Sequence, residues 1–218
     1  MKLYFLVVLL AAFIMPLAAV PVAVVLHNKR ASISYLRPRT GAFTVELGQN
    51  GVALGSSNNV LEETADAIRH GLRTACPDGT AQGCTNGVGT FAGLFEKEIT
   101  VTVMSAKWGG NREVYDILMD AVALLAVNGV GPVTGRKCTD NTYCTTWDRF
   151  NVTFKDGLWH MNVALENKYN VYNTHDCYKG LQNAKNVLSD LQPRMEKASD
   201  DGDVYVDATC YDPNKKSG

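Results

Sequence analysis

The sequence lacks the marks of most enzyme chemistries. Only four histidines and three tryptophans occur among 218 residues. There is no Gly-x-Ser-x-Gly elbow to present a serine nucleophile. Gly109-Gly110-Asn111 opens a predicted helix, but it has neither the G-x-G-x-x-G spacing nor the lysine of a phosphate loop. Cys76-x7-Cys84 and Cys138-x5-Cys144 are spaced too widely for a Cys-x2–4-Cys zinc knuckle. Asp200-Asp201-Gly202-Asp203 lacks the alternating ligands and terminal Glu of a calcium loop and reads as a solvated turn. No metal or cofactor is therefore expected. Positive charge is not in excess either, since 21 Lys and Arg face 22 Asp and Glu. Nucleic-acid binding needs clustered cations and is not expected.

What the chain does have is an apolar start. Lys2 precedes an uncharged, mostly apolar run from Leu3 to Leu26, followed by Lys29-Arg30. With the small pair Ala18-Ala19, this reads as a secretory signal peptide over residues 1–19, cut after Ala19. Residues 20–30 then form a short pro-segment, and Ala31 begins a single mature domain, 31–218. The run is also long enough for a membrane anchor, which needs about 20 apolar residues. Pro16 and Pro21 argue against one continuous helix, because proline lacks an amide proton and crowds the preceding turn. No stable anchor is expected, and the protein is placed outside the cell. Removing residues 1–30 takes three cations and no acid, leaving 18 Lys and Arg against 22 acids, a net charge of −4.

All six cysteines lie in the mature part, and an even count in a secreted chain predicts three disulfides. Local pairing favours Cys76–Cys84 and Cys138–Cys144, with Cys177–Cys210 as the third, although six cysteines allow fifteen connectivities. Asn151-Val152-Thr153 is the N-glycosylation sequon.

Periodicity orders the rest. Phe43, Val45 and Leu47 alternate as a short strand, and Gly48 to Asn58 reads as loop. Asn59 with Glu62 predicts a capped helix whose inner face carries Leu61, Ala65, Ile68, Leu72 and Ala75. Cys76-Pro77 ends it, and glycine-rich residues 77–93 read as a long loop. A strand is expected at about 98–105, then a helix capped by Asn111, with no polar residue from Ala121 to Val127. Asn128-Gly129 closes that helix, and a loop with Cys138 and Cys144 follows. Asp156-Gly157 predicts a hairpin turn, placing Phe154 opposite Trp159, Val152 opposite Met161 and Phe150 opposite Val163. Thr153–His160 and Asn151–Asn162 then share the polar face, which puts the sequon on the wet side. Thr174 caps a third helix ending at Pro193, and Val204, Val206 and Ala208 form the last strand.

From about 98 to 210 the order is β-α-β-β-α-β. This predicts an α+β, ferredoxin-like sandwich with helices on one face of an antiparallel sheet, preceded by an extra β-α unit. In that topology the second helix starts where the last strand ends, which places Cys177 beside Cys210.

A secretory leader, a dibasic site at Lys29-Arg30 that looks like a kexin-type cleavage site, six cysteines and this element order resemble small secreted cysteine-rich fungal proteins. These include pathogen effectors and α/β-sandwich killer toxins. Asp116 to Cys138, a buried helix leading through glycines to a cysteine, is loosely similar to secreted necrosis-inducing effectors. The resemblance is architectural and carries over no functional residue. It implies a non-enzymatic virulence protein that binds a macromolecule of a host or competitor. Trp108, Trp147 and Tyr143, in or near loops, are candidates for an exposed aromatic patch, against the commoner core placement of large aromatics. The alternatives are a ribonuclease-like hydrolase using His160 and Glu166 as a general acid–base pair, and a structural or cell-wall protein. His70 is expected on an exposed helix surface, and His175-Asp176 at a helix start where acids suit the dipole.

Overall fold

A computed structural model describes residues 41–55, 60–77, 82–92, 98–128, 131–132, 144–167 and 176–211. The described part is α+β: three helices, a mixed six-stranded sheet, a three-stranded sheet and two disulfides. The strands are β1 (Gly41–Leu47), β2 (Gly51–Gly55), β3 (Gly83–Ala92), β4 (Glu98–Lys107), β5 (Gly131–Pro132), β6 (Cys144–Trp147), β7 (Arg149–Phe154), β8 (Trp159–Asn167) and β9 (Val204–Cys210). The helices are α1 (Val60–Ala75), α2 (Arg112–Asn128) and α3 (Cys177–Ser199).

The large sheet has the order β3-β4-β8-β7-β1-β9, with β9 parallel to β1 and the other neighbours antiparallel. Alternate residues face one side: Phe43, Val45 and Leu47, then Ile99, Val101 and Val103, then Phe150, Val152 and Phe154, then Met161, Val163 and Leu165, all buried. The three helices form one layer on that side. α1 packs on β3 and β4, α2 on β8 and β7, and α3 on β9 and β1. α2 lies against both other helices and is the most buried, as its apolar run requires. Asn111 caps it, its Oδ1 accepting from Val114 N at 3.2 Å while its Nδ2 donates to Ala198 O at the end of α3.

The hairpin forms in the expected register. Asp156 and Gly157 both take positive φ, and Leu158 N closes the turn on Lys155 O at 3.0 Å.

The strand order departs from the ferredoxin-like expectation. In that sandwich the last strand would lie beside β4. Here β9 sits at the far edge on β1, and β1 is inserted between β7 and β9. The place beside β4 is taken by β3, from the stretch read as loop. Glycine hid that strand. A Cβ at Gly87 would run into the carbonyl of Ala75, and one at Gly89 into the carbonyl of Gly71, so the glycines let α1 lie directly on β3. The Cys76–Cys84 disulfide closes the same contact, with Cα atoms 5.8 Å apart.

Other expectations are also corrected. β2 lies in the stretch read as loop, and β6 continues the hairpin strand past a bend at Asp148. Asn50 bonds both carboxylate oxygens of Asp148, and Asp148 N donates to Asn50 O at 3.0 Å, so the ribbon turns there into the small sheet β2-β6-β5. Pro193 does not end α3. It lies on the solvent side, where its missing N–H is tolerated, while buried Leu191 and Met195 carry the apolar stripe onward. The helix stops at Asp200, which is left-handed with φ 56° and donates its N–H to Glu196 O. Residues 1–40, with the expected leader and processing site, lie outside the described residues, as do Asn59, Gly129, Cys138 and Thr174. No described helix is long and apolar enough to cross a membrane.

Candidate functional site

The structure separates the residues proposed for chemistry. His160 and Glu166, both on β8, lie on the face of the sheet opposite the described helices. Positions 160 and 166 on one strand are roughly 20 Å apart at a rise of about 3.3 Å per residue, too far to share a proton. The His160 ring is taken up locally, with Nδ1 3.0 Å from Gly157 O in the hairpin turn. His70 is exposed on α1 beside Arg69, and His175 lies outside the described residues. No group of three or more His, Cys, Asp or Glu that could hold a metal occurs among the described residues. In the 200–203 turn, Asp201 instead pairs with Lys155 Nζ at 2.7 Å, tying the hairpin turn to the α3–β9 turn.

The aromatic candidates are core residues. Trp108 and Trp147 are both 0 % exposed. Trp108 packs edge-on against Tyr115, with ring centroids 4.8 Å apart, and Trp147 lies against Gly180 of α3 and edge-on to Phe150. Each sits where a strand leaves the sheet, so flanking loop residues in the sequence hid a buried position. Tyr143 lies outside the described residues.

Two exposed tyrosines meet elsewhere, while a third, Tyr205, lies apart near the start of β9. The Cys177–Cys210 disulfide joins the start of α3 to the end of β9, with Cα atoms 5.9 Å apart. Tyr178 and Tyr211 each follow one of these cysteines, so their Cα atoms are at most about 13.5 Å apart. Tyr178 is 75 % exposed and Tyr211 is 37 % exposed. Tyr211 is held in place: its N–H donates to Leu47 O at 2.7 Å, its carbonyl accepts from Gln49 Nε2 at 2.6 Å, and the Arg149 guanidinium lies 5.5 Å from its ring centroid. The Asn50–Asp148 bend fixes Arg149 beside it. Next to Tyr178, Lys179 Nζ lies 3.1 Å from Asp176, and its hydrogen bond holds that carboxyl below its ordinary value. One end of the molecule thus presents two tyrosines, an arginine and a lysine–aspartate pair on a covalently fixed frame.

The sequence carried a signal for this cluster in the two tyrosines that directly follow cysteines. It became readable only with the pairing of Cys177 and Cys210 and with the exposure of both rings. Compared with known proteins, the chain matches no family model, no curated protein and no solved structure.

Proposed function

We propose that this is a secreted, non-enzymatic binding protein of the effector or toxin-like kind, which engages a macromolecule on the surface of a host or competing organism through its Tyr178–Tyr211–Arg149 end. The observation that carries this reading is the Cys177–Cys210 disulfide with an exposed tyrosine beside each cysteine. Disulfides persist in oxidising compartments, which supports the extracellular destination suggested by the leader. Tyrosine and arginine are the residue types enriched where binding energy concentrates. Rings on a cross-linked frame lose little freedom on binding, which reduces the entropic cost of association.

The test is production in a fungal host behind the chain's own leader. The secreted material is expected to begin at Ala31 by amino-terminal sequencing. It should bind intact plant, fungal or bacterial cells saturably in a labelled-protein assay. A start at Val20 would show that the pro-segment is retained. Failure to bind any cell surface, or binding untouched by change at Tyr178 and Tyr211, would count against the reading.

A further inference from the structure

The face of the large sheet that carries none of the described helices has a continuous row of cross-strand neighbours: Thr85, Ser105, Asn162, Asn151, Glu46 and Thr209. The middle of the row is uncharged and rich in amide and hydroxyl groups. Asn162 Oδ1 is shut off from solvent yet has no hydrogen-bond partner among the described residues. One row away, the hydroxyls of Thr44 and Thr153 meet at 2.7 Å. Asn151 and Thr153 are the first and third residues of the sequon, and both project onto this face from β7, with strands on either side.

We infer that Asn151 carries an N-linked glycan whose inner sugars lie on this sheet face and shield it. The neutral amides and hydroxyls of this row suit sugar hydroxyls better than they suit an apolar or strongly charged partner. Neighbouring strands are only about 4.8 Å apart, so a sugar on Asn151 reaches residues of both. The donor is a lipid-diphosphate-linked oligosaccharide. Asn151 Nδ2 forms a bond to its anomeric carbon and gives up one proton, while the anomeric C–O bond breaks and the lipid diphosphate leaves with the electron pair. The inference rests on the secretory part of the proposed function, because that transfer occurs along the secretory route.

The experiment uses the full chain made in a glycosylating eukaryotic host, with medium and cell lysate both collected. Mass spectrometry of the peptide spanning residue 151 is expected to show the sugar. Peptide N-glycosidase, applied to the native protein, should remove it and convert that asparagine to aspartate. Hydroxyl-radical labelling of His160, on the same face, should then rise severalfold while labelling of Tyr178 stays constant. An empty sequon overturns the inference, and so does sugar removal that leaves His160 labelling unchanged. Protein retained in the lysate with Asn151 occupied supports the inference and refutes the extracellular destination. Protein retained without the sugar refutes both.

Discussion

Adding one methyl group at Gly89 tests the packing of α1 on β3. Gly89 is buried in β3, beneath α1. An added Cβ would collide with the carbonyl oxygen of Gly71 and would lie 2.9 Å from its carbonyl carbon and 3.1 Å from Ala75 N. All three obstacles are backbone atoms of one helix, so no side chain can swing aside and α1 must lift as a unit. Ile68 and Leu72 of α1, with Phe91 and Val101 beneath, are buried and would lose close contact. Overpacking typically costs about 1–3 kcal/mol, and a backbone obstacle puts Gly89→Ala at the upper end. For a chain of this size, 3 kcal/mol corresponds to a fall in Tm of roughly 6–12 °C. The assay is urea and thermal unfolding followed by circular dichroism, with Gly202→Ala as control. Nothing lies within 4 Å of a Cβ at Gly202, so the control should stay within about 0.5 kcal/mol of wild type. If Gly89→Ala were as stable as Gly202→Ala, α1 would not rest on the β3 glycines and the reasoning would fail.

Replacing both Cys177 and Cys210 with serine should cost about 3–4 kcal/mol in the chain-entropy model for a separation of 33 residues, read as a lower urea midpoint. The Lys185 ammonium donates to Asp207 at 2.7 Å and holds that carboxyl below its ordinary value of 3.8. Folding therefore favours the ionised form, so the contribution is complete above the ordinary value and is lost as pH falls through the lowered one. Lys185 is raised by the same bond, and its contribution is lost only as pH climbs through that raised value in alkali. Asp207→Asn should accordingly be less stable than wild type near neutrality and converge with it in strong acid, as read by Tm across a pH series. His160→Ala should keep full biological activity and stay within about 0.5 kcal/mol of wild type. A hundredfold loss of activity in folded protein would revive the hydrolase reading.

The parts that were legible in the sequence are those fixed by neighbours along the chain. Asp156-Gly157 marked the hairpin turn, where Lys155, Asp156 and Gly157 all take positive φ, and folding the chain about that pair matches Phe154 with Trp159. The apolar run of α2 could only be interior. The 177–210 pairing was reached from the ferredoxin-like order, but it needs only that α3 pack on β9, and that holds wherever β9 joins the sheet. What stayed hidden was nonlocal. Gly87 and Gly89 look like loop chemistry until a helix lies on them. Pro193 looks like a stop until it is seen on the wet side of α3. The position of β9 beside β1 rather than β4 depends on pairings across most of the chain, to which periodicity is blind. The tyrosine-bearing end shares this limit, since Tyr178 and Tyr211 become neighbours only through the disulfide.

The most direct test of the binding role is equilibrium binding of the secreted protein to the cells it recognises, for wild type and for Tyr178→Ala combined with Tyr211→Ala. Circular dichroism and non-reducing peptide mapping would confirm that the fold and the Cys177–Cys210 bridge are intact. Truncating a central pair of contact residues costs at least about 2 kcal/mol, so affinity should fall by roughly thirtyfold or more with stability unchanged. Full affinity in the folded double variant would contradict the assignment of this end as the binding surface.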